Sequence, residues 1–156
     1  MPAKTTVPVT GIGHYPAFTG RLIVINASKR WQVVINWRAS TPEHGWLRLT
    51  HAASGRIIEI EWTGGAMRLR DNQAASPSWR PVSSDELATH GIVLTPRTLA
   101  TILLGTMPPN LKSRQRHIWE GRYGGSVMRL QWSATAKRLT ITDINHGRKA
   151  ILIIQD

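Results

Sequence analysis

The segment from Gly91 to Asn110 reads GIVLTPRTLATILLGTMPPN, and it is unlike the chain around it. Thr95 followed by Pro96 is a helix start: a hydroxyl can accept from free backbone N–H groups, and proline suits the first helical position. Leu99, Ile102, Leu103 and Leu104 give that helix a broad apolar face with no charge after Arg97. Gly105 and then Pro108-Pro109 close it. Such a helix needs a large apolar surface to lie on.

The flanking sequence supplies one. Upstream, FTGRLIVIN (18–26), WQVVINWR (31–38), WLRLTH (46–51), RIIEIEW (56–62) and AMRLRD (66–71) alternate with a period of two. Turns are expected at 27–30, 40–45, 52–55 and 63–65. Trp31, Val33, Ile35 and Trp37 share one face, continued by Leu47, Leu49, Ile58, Ile60, Trp62, Met67 and Leu69. Arg48, Glu59, Glu61, Arg68 and Arg70 point the other way. After a loop at 72–81, Ser83 with Glu86 three residues on marks a second short helix ending near His90-Gly91. Strands resume with HIWEGRY (117–123), VMRLQWS (127–133), KRLTITD (137–143) and RKAILIIQ (148–155), and LKSRQRH (111–117) reads as a basic loop.

The order is therefore five strands, two short helices and four strands. The pattern predicts a mainly β fold with two or three short helices. A curled antiparallel sheet forms an incomplete, half-open barrel, and the helices lie as a lid over an apolar cavity. Residues 1–16 read as an extended lead-in and 17–156 as one domain, with lid helices at about 83–105.

The totals narrow the function. The chain has 156 residues, 41% of them hydrophobic, and no run near the about 18 apolar residues of a membrane helix. The opening MPAKTTVPVTG has no apolar stretch of the secretory kind, which fits a cytosolic chain or a mature form with its leader removed. Cysteine is absent, so disulfides and thiol chemistry are out. Twenty basic residues, fifteen of them arginine, against nine acidic ones give +11, a balance that favours polyanions or anionic lipid surfaces.

Catalytic patterns are missing. There is no nucleophile elbow, zinc-helix motif or phosphate loop, and Gly11-Ile12-Gly13 lacks the third glycine of a dinucleotide turn. The six histidines have no metal-ligand spacing, and Glu59 and Glu61 sit where Arg48 and Arg68 would pair with them. No catalytic residue, metal or cofactor is expected. Trp31, Trp37, Trp62 and Trp132 fall on the apolar face, either as core filling or as the lining of an incompletely filled cavity. Pattern alone leaves both open.

Taken together, these elements resemble the LolB family, outer-membrane lipoprotein receptors of Gram-negative bacteria. The likeness lies in Gly91, Pro96, Leu99, Leu104, Gly105 and Pro108, and in the opening Phe18, Gly20, Arg21 and Leu22 before a strand ending in Trp37. It continues in WLRLTHAASGRIIEIEW with GGAMRLRD, and in the closing KRLTITD and KAILII. The resemblance implies a non-catalytic protein whose cavity holds lipoprotein acyl chains. It would accept cargo from a LolA-like periplasmic carrier and place it in the inner leaflet of the outer membrane, as a monomer at the periplasmic face. The acyl-chain cavity would be lined by Trp31, Val33, Ile35, Trp37, Leu47, Leu49, Ile58, Ile60, Leu69, Met128, Leu130 and Trp132, and the lid would use Pro96, Leu99, Ile102 and Leu103. The membrane-delivery loop would be Ala52, Ala53 and Ser54, where the family presents an exposed apolar residue, usually Leu, and this chain has Ala53. The acylated cysteine of the family is also missing. Two alternatives stand beside this reading. One is a soluble carrier of lipid or lipopolysaccharide. The other is a basic module for single-stranded nucleic acid, against which the alternation places Trp and Arg on opposite faces.

Overall fold

The computed structural model describes residues 11–155, so the first ten residues of the expected lead-in and residue 156 lie outside the described part. Eleven strands and two helices follow in the order β1 (Ala17–Asn26), β2 (Lys29–Thr41), β3 (His44–His51), β4 (Arg56–Thr63), β5 (Ala66–Asp71), β6 (Arg80–Pro81), α1 (Ser84–Thr89), α2 (Pro96–Leu103), β7 (Lys112–Gln115), β8 (Ile118–Tyr123), β9 (Ser126–Ser133), β10 (Arg138–Asp143) and β11 (Arg148–Ile154). All strands belong to one antiparallel sheet, ordered β6-β5-β4-β3-β2-β1-β11-β10-β9-β8-β7. The first and last long strands meet in its middle, Leu22 opposite Leu152. The sheet curls but does not close, leaving β6 and β7 as free edges.

Two strands exceed the nine expected from the pattern, and both are edges. β6 is a two-residue bridge, Arg80 opposite Leu69 and Pro81 opposite Arg68. β7 falls in the expected basic loop and is exposed throughout. It pairs with β8 through backbone bonds and an exposed Arg114–Glu120 contact at 3.9 Å, and with neither face buried no alternation of side chains announces it. Its lysine and arginine suit an edge, where charge discourages pairing with another chain. The first turn is also tighter than expected. β2 begins at Lys29, and Ala27 takes a positive φ of 50° to make the reversal.

Side chains of period two put one face of every long strand into a single core. Val33, Ile35 and Trp37 of β2, Leu47 and Leu49 of β3, and Leu130 and Trp132 of β9 are all buried there. The helices lie on that inner face and begin where the sequence indicates. Ser83 Oγ accepts from the Glu86 N–H at 3.2 Å, and Thr95 Oγ1 accepts from the Thr98 N–H at 3.3 Å. Among the described residues no helix is long and apolar enough to cross a membrane.

Candidate functional site

The inner face of the sheet is a continuous apolar wall. Of the residues expected to line the cavity, eleven are buried in the core, and Trp31 is half-buried against it. Alternation in β1, β10 and β11 adds Leu22, Val24, Leu139, Ile141, Ala150 and Leu152 to the same wall. These were legible by the same period-two rule but are absent from the residues expected above. All four expected lid residues, Pro96, Leu99, Ile102 and Leu103, are buried against this wall.

The hollow enclosed by the sheet is occupied by the chain itself. Between Leu22, Ile35, Ile141, Ala150 and Leu152 on one side and Gly91–Leu94 with Leu99 on the other, the remaining void is about 10 Å³. That is about one water's worth of space. Among the described residues the space directly beneath the helix is thus nearly filled, where the sequence suggests an open pocket. Two clefts flank the lid instead. One of about 300 Å³ lies between Trp62, Gly64, Met67 and the start of α2 at Thr95, Arg97 and Thr98. The other, about 230 Å³, runs between Ile92 and Val93 on the lid side and Tyr123, Met128, His146 and Arg148 on the sheet.

Several polar contacts between described residues tie α2 to its surroundings. The Tyr123 hydroxyl accepts from the Thr95 N–H at 3.1 Å and shares hydrogen bonds with the hydroxyls of Thr95 at 2.8 Å and Thr98 at 2.9 Å. Arg97 pairs with Glu43 at 2.8 Å, both more than half exposed, a contact of about 0–1 kcal/mol. At the far end the Tyr15 N–H donates to the Leu103 carbonyl at 2.9 Å. Tyr123 was not singled out by sequence; a lone tyrosine before a hairpin glycine carries no local signal of this contact. Two further polar atoms stand out within the core. The indole N–H groups of Trp37 and Trp132 are buried without a protein acceptor, and each unmet bond costs about 1–3 kcal/mol.

Charged clusters lie on the outer face and at the turns and are largely paired, although Arg48 Nε is buried without a hydrogen-bond partner. Burial raises the Glu59 carboxyl, but hydrogen bonds from Arg70 and Trp46 and the Arg48 charge outweigh it and hold it below the usual carboxylate range. Glu59 pairs with Arg70 at 2.8 Å and Arg48 at 3.5 Å, and Glu61 pairs with Arg68, so the expected cross-strand ion pairs form. Asp143 is fully buried. Its burial is offset by bonds from His146 and from Arg148 Nε at 2.9 Å, which depress its pKa. Ser126, His146 and Asp143 are in contact, yet the serine hydroxyl and the carboxylate both meet His146 Nδ1, at 2.9 Å each. One ring nitrogen cannot take a proton from serine while donating to aspartate, so this is a turn clamp and not a nucleophilic relay. Among the described residues no cluster of three or more His, Asp or Glu could hold a metal.

One expectation about the outer face needs correction. Trp46 lies beside Arg48 there, with the guanidinium 5.1 Å from the ring, and Trp79 lies under Arg70 at 4.6 Å and Arg68 at 5.6 Å. Tryptophan and arginine are therefore not segregated. The guanidinium groups over these rings are themselves held by Glu59 and Glu61. The expected delivery loop, Ala52 to Ser54, is exposed at the β3–β4 turn and presents only small side chains.

No family model and no curated protein matches the chain in sequence. Its fold does match solved structures. It is similar to a LolA superfamily protein from Nitrosomonas europaea over 93% of this chain and 86% of that one, with 10% identity and a TM-score of 0.51. A domain of a putative outer membrane lipoprotein-sorting protein from Vibrio parahaemolyticus gives a TM-score of 0.46 at 9% identity, over 90% of this chain and 83% of that one. The chain thus shares its open antiparallel fold with the Nitrosomonas europaea protein.

Proposed function

We propose that residues 17–156 act as one non-catalytic unit that takes up lipoprotein acyl chains on the inner sheet face and delivers them to the inner leaflet of the outer membrane, in the manner of LolB-like receptors. A LolA-like carrier is the donor in this reading. One observation carries it: among the described residues the apolar wall is covered only by short segments, α1 through Leu87, the stretch 92–95, the eight residues of α2, and Ile12, Val82, Met107 and Leu111 around them. Exchange is energetically reasonable. A chain of roughly fifteen methylenes gains about 12 kcal/mol on full burial, at about 0.8 per methylene. Lifting Leu99, Ile102 and Leu103 off the wall returns roughly 5–9 kcal/mol, and each broken tether about 1. The two sides nearly cancel, which permits both loading and release. A guest ester or amide carbonyl would also meet the unpartnered indole N–H of Trp37 or Trp132.

Titration with a fluorescent fatty acid tests this reading. The wild type should show saturable uptake, with quenching of tryptophan emission. Tyr123→Phe removes the hydroxyl that holds Thr95 and Thr98, so it should load faster while losing about 1–2 kcal/mol of stability. Absence of uptake by both proteins, with both folded, removes the proposal.

A further inference from the structure

We propose that the end of the half-barrel carrying the β1–β2 and β10–β11 turns is a docking surface for an anionic lipid bilayer, with Ile144 as the inserted residue. This deepens the delivery reading above, although the docking itself requires no acyl cargo. Among the described residues only Val34 and Ile144 are large hydrophobic side chains left exposed, and Ile144 is the more exposed at 45%. Val34 sits mid-strand on the outer face, opposite Arg21 and Thr50. Ile144 sits at a hairpin tip, where a side chain can reach a flat surface before the strands do.

The tip is held and surrounded in a way that suits lipid. The Ile144 N–H donates to the Val127 carbonyl at 3.0 Å, and Asn145 Oδ1 accepts from the Val127 N–H at 2.7 Å. These bonds, with the Asp143–His146 clamp, fix the turn against β9. Register brings the two turns side by side: Asn26 faces both Lys29 and Arg148, and Ile25 faces both Arg30 and Lys149. Lys29, Arg30 and Lys149 are exposed and form no ion pair with any described residue. The acidic groups at this end are largely occupied, Asp143 by Arg148 and Asp71 by Arg56 at 2.7 Å, leaving Asp85 exposed at the lip of the cleft as the one carboxylate there without an ion pair among the described residues. An apolar tip within a collar of free cations matches an anionic headgroup layer over hydrocarbon. A second copy of this chain would bring the same cations face to face. The cleft of about 230 Å³ beside the lid is lined by His146 and Arg148 of this same turn, so cargo leaving it emerges at the proposed contact.

Co-sedimentation with phosphatidylcholine vesicles, with and without phosphatidylglycerol, tests the assignment. The wild type should bind only the anionic vesicles, and less well as salt rises. Ile144→Ser should weaken binding about fivefold, and Lys29→Ser/Arg30→Ser/Lys149→Ser about a hundredfold, at about 1 kcal/mol per group. All these positions are exposed, so the variants should fold and take up the fatty-acid probe as the wild type does. Val34→Ser should bind vesicles normally. Equal binding to neutral vesicles, no vesicle binding at all, or loss through Val34→Ser with Ile144→Ser unaffected would each overturn the proposal. Loss of probe uptake with vesicle binding intact would count against the acyl-chain reading alone.

Discussion

Gly91 shows how one residue connects motif to mechanism. Its φ is +94°, and a Cβ there would lie 2.3 Å from Val24 Cγ2 on β1. Only glycine lets the chain enter the lid segment this close to the sheet. We expect Gly91→Ala to lower stability by about 1–3 kcal/mol, from the left-handed backbone and the displaced contact, measured as a shift in urea midpoint. The same variant should load the fatty-acid probe faster, because the lid approach is lifted from β1. The glycine was visible in the sequence as part of a motif; its reason was not, since the contact with Val24 joins residues 67 positions apart. Tyr123 was invisible for the same cause: its partners Thr95 and Thr98 lie in another element.

At the scale of elements, α2 was the most legible part of the chain, because Thr95 and Pro96 announce its start locally and Gly105 its end. What the pattern could not give was depth. Periodicity assigns Leu99, Ile102 and Leu103 to a face but does not say whether they rest above a hollow or fill it, and here they fill it. The strands were legible wherever one face is buried, and lost at β6 and β7, where pairing is by backbone and no side-chain period exists. If the lid must lift, fixing its approach should stop loading. A Cβ at Gly91 would stand 3.5 Å from that of Val24, within the range a disulfide spans. The chain has no cysteine of its own, so Val24→Cys/Gly91→Cys would carry a single defined pair. Oxidised, it should exclude the fatty-acid probe; reduced, it should admit it. Backbone strain at residue 91 is present in both forms and cancels in that comparison.

For the molecule as a whole, the excess of basic residues reads at first as a diffuse field, and the structure divides it. Arginines 48, 56, 68, 70, 80, 97, 114, 129 and 148 are bound to carboxylates, while Lys29, Arg30 and Lys149 at one end, and Arg38, Lys112, Arg122, Lys137 and Arg138 elsewhere, form no ion pair with a described residue. The bound set makes stability acid-sensitive. The hydrogen bond from Arg56 holds the Asp71 carboxyl below its ordinary value, and Asp143 is held low despite burial. A depressed folded value means the contribution is fully present above the unfolded value, about pH 4, and is lost as pH falls through the folded one. Stability measured by urea should therefore decline below about pH 4. In Asp71→Asn it should be lower at neutral pH and change less on acidification.

The central claim is that hydrocarbon replaces the lid on the inner face of the sheet. A photoactivatable fatty acid, cross-linked in place and mapped by mass spectrometry, addresses it directly. Adducts on inner-wall and lid residues such as Ile35, Leu49, Leu99 and Leu152 are the expected result. Adducts confined to outer-face residues such as Val34 or Ile151, from a protein that stays folded, would contradict it.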